Sequence, residues 1–297
     1  MTKGKKTVVI TGASSGIGRT CVSRMIEAGW QVFATVRRTE DAARLRSECG
    51  GQVVPLLMDV TDHASVRTAV EPVLSRLRTQ GLDGLVNVAG VGIVGPVEFV
   101  SPAGLSDIFA INAFGQIVLT QAFLPLIHTA RGRIVNITTV GAHFALPFGG
   151  LLNGSKAAFS ILCDALRLEL HPFGIRVCTV EPGAIKTPAV DKTLGHVENE
   201  IASLPERGRQ QYGDLLRNFA RRGYEREMHG SPPEVVATAV HHALTARQPR
   251  IRYRVGKHST VLGILPRLLP DRIFDALRLR IAGMPTKFGS LSAGKES

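Results

Sequence analysis

The chain has 297 residues, of which 44% are apolar and only 5% aromatic, and it contains 31 glycines. This length and mixture are typical of a globular α/β protein with a Val/Ile/Ala-rich parallel sheet, and they exclude a disordered chain or an all-β sandwich. The net charge of +12 is compatible with an anionic membrane surface or an anionic small molecule, but the dispersed arginines without interleaved aromatic residues predict no nucleic-acid partner.

The cysteines and the start of the chain favour a reducing compartment. The apolar run in MTKGKKTVVITG is too short for a signal peptide and leads directly into a glycine loop, so we interpret it as a first strand. No stretch has the roughly 18 uninterrupted apolar residues of a membrane span. We predict a cytoplasmic protein without a metal site, because no C-x-x-C spacing or paired pattern connects the four cysteines. These are Cys21, Cys49, Cys163 and Cys178.

The first strand, Thr7 to Thr11, is followed by a glycine loop and then by a helical pattern from Arg19 to Ala28. Glycines at such a turn let the backbone approach a pyrophosphate, and the free N–H groups that open the helix attract its charge. The strand–turn–helix context predicts a dinucleotide site, with a purely structural turn as the alternative. The expected contacts are Gly12, Ser14, Ser15, Gly16, Ile17 and Gly18.

A second strand, Gln31 to Val36, ends in Arg37 and Arg38, where the chain would meet the adenosine ribose. An acid there would accept hydrogen bonds from the ribose hydroxyls, whereas a basic side chain would pair with a 2′-phosphate. Arg37 therefore predicts NADP(H). The alternative is that both arginines are solvated residues that open a helix.

Two further strands, Gln52 to Met58 and Leu82 to Val88, are separated by a helix that Asp62 can cap. This alternation predicts right-handed βαβ units and one parallel sheet. Residues that follow the strands then lie on the ligand side of the sheet. They are Asp59 and Val60 after the third strand, and Asn87, Ala89 and Gly90 at the end of the fourth.

A long helical pattern from about Pro102 to His128 contains Asn112, which is unfavourable in the middle of a helix. We predict a functional bend there, and an ordinary exposed Asn is the alternative. A fifth strand, Arg133 to Thr138, delivers Thr138 and Thr139 to the cleft. A sixth, Arg176 to Val180, and a seventh, Arg250 to Val255, complete the sheet.

Two segments lie outside this alternation. The residues from about 188 to 230 are predicted to form a helical lid over the substrate cleft, with a mobile solvated excursion as the alternative. A basic amphipathic extension, residues 259–297, follows the main domain of residues 1–258. The extension could lie on an anionic membrane surface, cover the substrate mouth or form a subunit contact.

Taken in order, these motifs resemble the short-chain dehydrogenase/reductase family from Lys6 to Val255, and the tail is similar to the branch of steroid- and retinol-type dehydrogenases and bacterial relatives. The resemblance implies a doubly wound Rossmann-type parallel sheet of about seven strands. It also implies that NADP(H) is held on the nicotinamide side by Lys156, Pro182, Gly183, Ile185 and Thr187. In this family the helix after Lys156 commonly mediates homodimers or homotetramers.

The same resemblance assigns the reaction to a Tyr four residues before Lys156, with Thr139 orienting the substrate and Asn112 supporting a proton path. Leu152 occupies the Tyr position, and a hydrocarbon cannot transfer a proton. Positioned acid–base catalysis contributes about 10² to 10⁴ in rate, so a slow reductase is expected unless another group substitutes. His143, or a water held by Lys156 and Asn112, could be that group.

The sequence is therefore compatible with three hypotheses about function. The first is an atypical NADP(H)-dependent oxidoreductase acting on a ketone or secondary alcohol of a small apolar substrate. The second is a non-redox enzyme, such as a cyclase or isomerase, that retains NADP(H) while Leu152 and Phe148 line an apolar pocket. The third is a catalytically silent protein that binds the cofactor.

Overall fold

A computed structural model describes residues 4–290 and contains a seven-stranded parallel sheet in the order β3-β2-β1-β4-β5-β6-β7. This order confirms the predicted doubly wound sheet, because the chain moves outward from β1 in both directions. The strands are β1 (Thr7–Ile10), β2 (Gln31–Val36), β3 (Val53–Leu57), β4 (Gly84–Asn87), β5 (Arg133–Ile137), β6 (Arg176–Pro182) and β7 (Arg252–Val255).

Helices cover both faces of the sheet and extend beyond its carboxyl edge. Those of the main layers are α1 (Gly16–Glu27), α2 (Thr39–Glu48), α3 (His63–Leu77), α4 (Pro102–Phe109), α5 (Gly115–Ala130), α6 (Gly150–Leu170) and α10 (Glu234–Thr245). Those beyond the edge are α7 (Ala189–Leu194), α8 (Val197–Ser203), α9 (Glu206–Met228), α11 (Ser259–Ile264) and α12 (Asp271–Ala282). Asp62 caps α3 as predicted, since its side chain accepts a hydrogen bond from the Ala64 N–H at 2.8 Å.

The core forms because the strands are apolar on both faces. In β1, Val8 and Ile10 join one buried cluster with α1 and α10, whereas Val9 joins the opposite cluster with α3 and α5. Successive side chains of a strand point to opposite faces, so a continuous apolar run is buried between two helical layers. The carboxyl edge of the sheet is left to form the site.

The helical segment from α4 to α5 contains the predicted bend as a π turn at Ala110–Phe114. Asn112 lies in this turn and is completely buried, so the alternative of an exposed Asn is wrong. By length and apolar composition the segment Pro102–Ala130 could span a membrane, which the sequence patterns did not indicate. Half of its most apolar stretch is buried within the fold, as in a core helix.

The segment predicted as a lid is helical, comprising α7, α8 and α9. A third apolar cluster joins α8 and α9 to the C-terminal segment and to the loop before α6. Phe148 packs edge-on against Phe219 of α9, with ring centroids 5.6 Å apart, and Ala282 of α12 lies in the same cluster. Helix α12 therefore packs on α9 of the lid, whereas α11 packs against β7 and the turn after β5. Residues 291–297 of the predicted extension lie outside the described part.

Candidate active site

The glycine loop after β1 forms a backbone cradle at the start of α1. Gly12 and Gly16 have φ values of 62° and 55°, which only glycine adopts without strain. A Cβ on Gly18 would lie 2.2 Å from the Gly12 carbonyl oxygen. Ser15 precedes α1 without capping it through its side chain, which leaves the first N–H groups of the helix for an external anion. The loop thus fits the pyrophosphate of a dinucleotide.

Two polar side chains hold the opposite wall of the cradle. The Thr11 hydroxyl accepts hydrogen bonds from the N–H groups of Val88 and Ala89, at 2.8 and 3.0 Å. The Gln116 amide donates to the Ala89 carbonyl at 3.0 Å. Gln116 was not predicted as a site residue, although a buried polar side chain one helical turn after Asn112 was the available signal.

The Asn87 side chain braces the sheet. Its amide nitrogen donates to Thr120 at 2.9 Å and to Asn136 at 2.7 Å, joining β4 to α5 and β5. Its Oδ1 is buried without a partner among residues 4–290. Because these contacts fix the end of β4, they position the backbone of Ala89 and Gly90 beside the predicted cofactor site.

The end of β2 presents the expected positive charge. Arg38 pairs with Asp41 at 3.2 Å, and Arg44 pairs with the same carboxylate at 2.6 Å while donating to the Ser14 carbonyl. The hydrogen bond from Arg38 holds the pKa of Asp41 below its usual range. Arg37 is exposed and forms no ion pair within the described chain, so its guanidinium is available to a phosphate.

Asp59 and Val60 lie at the end of β3. The Asp59 carboxylate accepts from both the hydroxyl and the N–H of Thr61, at 2.7 and 2.9 Å, and these bonds lower its pKa. Val60 is buried, and its carbonyl lies so close to Gly115 that a Cβ there would approach to 2.5 Å. Both residues hold the loop beside the adenosine side of the predicted site.

Lys156, Asn112 and Gly90 converge at the centre of the cleft. An ideal Cβ on Gly90 would lie 3.0 Å from Lys156 Nζ and 3.1 Å from Asn112 Oδ1. Lys156 Nζ donates to the Ile137 carbonyl at 3.1 Å, and burial lowers the pKa of this ammonium group to about 8. Asn112 is fixed by two hydrogen bonds with the Val91 backbone and by one to the Ser155 hydroxyl.

A mostly apolar cavity of about 630 Å³ opens beside this cluster. Thr138, Thr139 and Leu152 line it, whereas Lys156 and Asn112 lie behind its wall. Part of the lining belongs to the predicted nicotinamide side of the cofactor site, namely Ile17, Pro182, Gly183, Ile185 and Thr187. The Thr139 hydroxyl accepts from the Gly141 N–H at 3.2 Å, whereas Thr138 contacts the Val180 carbonyl as a strand residue would. At the position where the family resemblance expects a phenol, Leu152 presents hydrocarbon to the cavity.

His143 is not among the residues that line this cavity. Its Nε2 lies 3.0 Å from Glu181 Oε2, although the N–H direction is poor for a hydrogen bond. Glu181 is completely buried and also pairs with Arg252 and Arg254, at 3.0 and 3.2 Å. This geometry gives His143 an ion-pairing position and does not favour it as a substitute proton donor.

The segment after β6 faces the glycine loop. Thr187 lies beside Gly16, since an ideal Cβ on that glycine would be 3.4 Å from Thr187 Cβ. Gly183 is required where it stands, because a Cβ there would lie 2.3 Å from the Lys257 carbonyl. The Ile185 N–H donates to Glu227 of α9 at 3.1 Å. Glu227 lines the cavity and was missed, because the polar pattern of α9 gives no signal of inward orientation.

With the fold and site in view, known proteins provide a comparison. The profile of the family described as short chain dehydrogenase matches residues 6–197. Mouse (Mus musculus) retinol dehydrogenase 5 is 35% identical over 288 residues, covering 94% of this chain and 90% of that protein. The NADPH-dependent 3-dehydrocapnine reductase of Ornithobacterium rhinotracheale is 31% identical, covering 91% of this chain and 94% of that protein.

A solved short-chain dehydrogenase from Streptomyces avermitilis has a TM-score of 0.73 and 26% identity, covering 95% of this chain and 97% of that one. The sheet, the glycine cradle and the family profile together place the molecule among Rossmann-type oxidoreductases that use a nicotinamide cofactor. The chain belongs to the short-chain dehydrogenase/reductase family, and it is similar to retinol- and steroid-type members.

Proposed function

We propose that the protein is an NADP(H)-dependent oxidoreductase that interconverts a ketone and a secondary alcohol on an apolar substrate. The observation that supports this function most strongly is the arrangement of Lys156, Asn112 and Thr139 beside a mostly apolar cavity, with the glycine cradle nearby. Similar proteins named as dehydrogenases and reductases favour this reaction over the non-redox and silent alternatives.

In the reductive direction, a bound NADPH would supply the hydride for the carbonyl carbon, and the carbonyl oxygen would gain a proton, giving the alcohol and NADP⁺. Thr139 donates a hydrogen bond that orients the carbonyl oxygen. Lys156 holds positive charge near the developing alkoxide and stabilises it electrostatically. Its immobilisation by the Ile137 carbonyl keeps that charge in place.

The proton must come from a group other than Leu152. We propose a water molecule hydrogen-bonded to the Lys156 ammonium group, which has N–H donors beyond the one used by Ile137. Water is a weaker acid than a phenol poised by a neighbouring charge, so turnover is slow. The atypical site is therefore a slow reductase whose binding and orienting groups are retained.

The preference for NADP(H) is supported by Arg37, which is exposed and without an ion pair in residues 4–290. The similar 3-dehydrocapnine reductase is named as NADPH-dependent. Charge-assisted hydrogen bonds to a 2′-phosphate contribute roughly 1.5–3 kcal/mol each. NADPH should therefore bind about tenfold or more tightly than NADH to the native chain.

Fluorescence titration with NADPH and NADH tests this preference. Arg37→Gln should remove most of the difference, whereas Arg46→Gln, an exposed change on the same helical segment as Arg44, should leave it intact. Equal affinity of the native chain for both cofactors would contradict NADP(H) specificity, and failure to bind either would contradict the proposed function.

Activity is tested by following NADPH oxidation with a panel of ketones and the reverse reaction with secondary alcohols. Slow turnover that requires both the carbonyl compound and NADPH is the expected result. Product formation without a change in NADPH would instead identify a non-redox enzyme. Binding of NADPH with no turnover in either direction would favour the silent protein.

We also propose that the protein self-associates through α6 and that its C-terminal helices contact anionic membrane surfaces. Ile161 and Leu168 of α6 are 69% and 62% exposed. Leu268 and Ile273 are 71% and 58% exposed beside Arg267 and Arg272. Each of the two surfaces therefore presents two large apolar side chains to solvent.

A further inference from the structure

A second cleft of about 540 Å³ lies between α9 and the residues that follow β7. Its lining is dominated by groups that are cationic or become so on protonation. One acid, Glu225, accompanies them. The basic residues are Arg222, Arg226, His229, Lys257 and His258.

This cleft shares a wall with the apolar cavity of the candidate active site. Arg226, Lys257 and His258 line both spaces, as do Ala184 and Ile281. Ala184 directly precedes Ile185 of the predicted nicotinamide-binding segment. A molecule that occupies the apolar cavity can therefore extend one end among these cations.

The positive charge of the cleft is only weakly compensated. Glu225 also lies 3.6 Å from Arg221, and Arg226 is 3.7 Å from Glu227, a distance at the limit of an ion pair. Arg222 donates to the Arg280 carbonyl, and Lys257 Nζ donates to the His229 carbonyl. These two cations have no carboxylate partner within residues 4–290.

Backbone contacts hold the cationic residues Lys257 and His258 beside the predicted nicotinamide-binding segment. Lys257 forms an antiparallel bridge with Ala184, and its N–H donates to the Ser231 hydroxyl at 3.1 Å. His258 has a φ of 61°, the left-handed conformation that is uncommon outside glycine. Such conformations persist where the surrounding structure imposes them, and they cluster at binding sites.

The cleft does not belong to the predicted cofactor site. Neither the glycine loop nor Arg37 contributes to its lining. The diphosphate and the 2′-phosphate therefore have predicted partners outside the cleft, which leaves its cations for an anionic group of another molecule.

We propose that the cationic cleft binds the anionic end of an amphipathic substrate, a single aliphatic chain that carries a carboxylate, sulfonate or phosphate group. The chain occupies the apolar cavity, and the oxidisable or reducible carbon lies on it near Thr139. This assignment of substrate class rests on the proposed oxidoreductase function, but the binding it requires can be measured without turnover.

The test compares decanoate with 1-decanol, which have equal chain lengths and differ in charge, by isothermal titration calorimetry on the full chain below their aggregation concentrations. Decanoate should bind the native protein at least about tenfold more tightly, which corresponds to about 1.4 kcal/mol. Lys257→Gln and Arg226→Gln should each lower decanoate affinity about tenfold and leave decanol unchanged. Arg272→Gln is the matched control, since it removes the same charge from an exposed position outside both cavities.

Three results would overturn the proposal. The first is equal affinity for decanoate and decanol in the native protein. The second is inorganic phosphate binding as tightly as decanoate with the same dependence on Lys257, which would indicate a site for free anions. The third is binding to anionic phosphatidylglycerol vesicles that depends on Lys257 while monomeric decanoate does not bind, which would indicate a lipid-headgroup site.

The outcome also separates this proposal from the proposed function. Charge-dependent binding of decanoate without any NADPH oxidation would support the anion-binding role of the cleft and refute the proposed reductase activity. NADPH oxidation with neutral ketones but not with keto acids of the same length would preserve the reductase and refute the amphiphile site.

Discussion

Leu152 is the one residue in the site that removes a chemical function while the surrounding geometry is retained. Leu152 lies near the N-terminal end of α6, one turn before Lys156, and its side chain lines the cavity. Thr139 and Lys156 are buried or fixed by hydrogen bonds on either side. We therefore expect the site to accept a phenol at this position.

Leu152→Tyr should raise the rate of ketone reduction by about 10² to 10⁴, the usual contribution of a positioned general acid. The physical reason is that the new hydroxyl would lie between the carbonyl oxygen and the Lys156 ammonium group. Initial rates of NADPH oxidation measure the effect. Leu152→Phe is the matched control, because it adds the ring without the proton, and an equal gain in that variant would show that packing alone is responsible.

Burial of the Lys156 ammonium group lowers the stability of the fold at neutral pH. Its ammonium group is buried without an acidic partner among the described residues, which disfavours the charged form and lowers its pKa to about 8. In the unfolded chain the pKa is that of an ordinary lysine, about 10.4. The unfolded state therefore binds more protons than the folded one between these two values, and the cost of the buried charge falls as pH rises from 8 to above 10.

Lys156→Met should stabilise the protein without cofactor by roughly 1–3 kcal/mol at pH 7 and should weaken NADPH binding. Urea unfolding at pH 7 and at pH 10 measures the stability. The gain should be complete below pH 8 and should shrink toward pH 10. Destabilisation at pH 7 would mean that the hydrogen bond to Ile137 outweighs the cost of burial.

At this scale the sequence predicts where most candidate site residues lie, because they follow strands or a glycine loop. Gly12, Thr139 and Lys156 are examples in which position along the chain determines position in space. Gln116, Glu227 and Lys257 could not be predicted in the same way. Their inward orientation depends on tertiary packing of α5, α9 and the chain after β7, which leaves no local pattern.

Among the elements, β6, β7 and α6 are joined by an ionic network centred on the buried Glu181, whose partners are half-buried. Arg252 bridges Glu181 and Asp164, and Arg254 and His143 contact the same glutamate. Burial alone would raise the pKa of Glu181, but its contacts with His143 and Arg252 lower it below the ordinary value. Its contribution to stability is therefore present above the usual Glu pKa and is lost as pH falls through the lowered one.

Glu181→Gln should destabilise the fold by roughly 1–3 kcal/mol at pH 7, because the half-buried guanidinium groups of Arg252 and Arg254 lose a charged partner while Arg252 keeps Asp164. The measurement is chemical unfolding, with the deficit shrinking at acidic pH, where the native glutamate is protonated. Glu198→Gln removes an exposed partner of Arg217 and should leave the free energy of unfolding nearly unchanged, because solvent screens an exposed ion pair. Equal effects of the two substitutions would contradict a structural role for the network.

The exposed face of α6 leads to a prediction about assembly. Ile161→Asp should convert an oligomer to a monomer, since a charge in the centre of an apolar interface is left without a partner. Size-exclusion chromatography with light scattering gives the mass. Leu74→Asp on α3, where the native side chain is 51% exposed, is the control and should leave the mass unchanged. A native chain that is already monomeric would refute the proposed interface.

Element prediction from sequence succeeded where the apolar period was unambiguous. β2 matches its predicted bounds, Gln31 to Val36, and other strands differ by one or two residues at their ends. The segment from about 188 to 230 was predicted only as a helical lid, without the bounds of its separate helices. Its helices α7, α8 and α9 pack against one another and against α12, so their positions depend on tertiary contacts. Their arrangement depends on long-range contacts that local propensity does not encode.

For the molecule as a whole, the net charge of +12 and the C-terminal helices favour binding to anionic bilayers. Sedimentation with phosphatidylglycerol vesicles should show binding that weakens as salt is raised, with little binding to phosphatidylcholine vesicles. Leu268→Glu should reduce binding to anionic vesicles, because it places charge in the apolar face. Salt-independent binding, or no effect of Leu268→Glu, would exclude this surface as the contact.

The global topology was predictable because alternating strands and helices permit few arrangements. The position of the cationic cleft relative to the apolar cavity was not predictable, since it depends on where the chain after β7 lies relative to β6. The charge of that return segment was visible in the sequence, but its proximity to the apolar cavity was not.

Because of the π turn at Ala110–Phe114, the geometry of the site depends on how many residues the turn contains as well as on their types. A π turn contains about one residue more than an α turn, so the helix beyond it is rotated by roughly 100° relative to a continuous α-helix. Deletion of one residue here would restore a regular helix and turn Gln116 and Thr120 away from Ala89 and Asn87. In an alignment of related chains, this segment should therefore tolerate exchanges of side chains and exclude single-residue gaps.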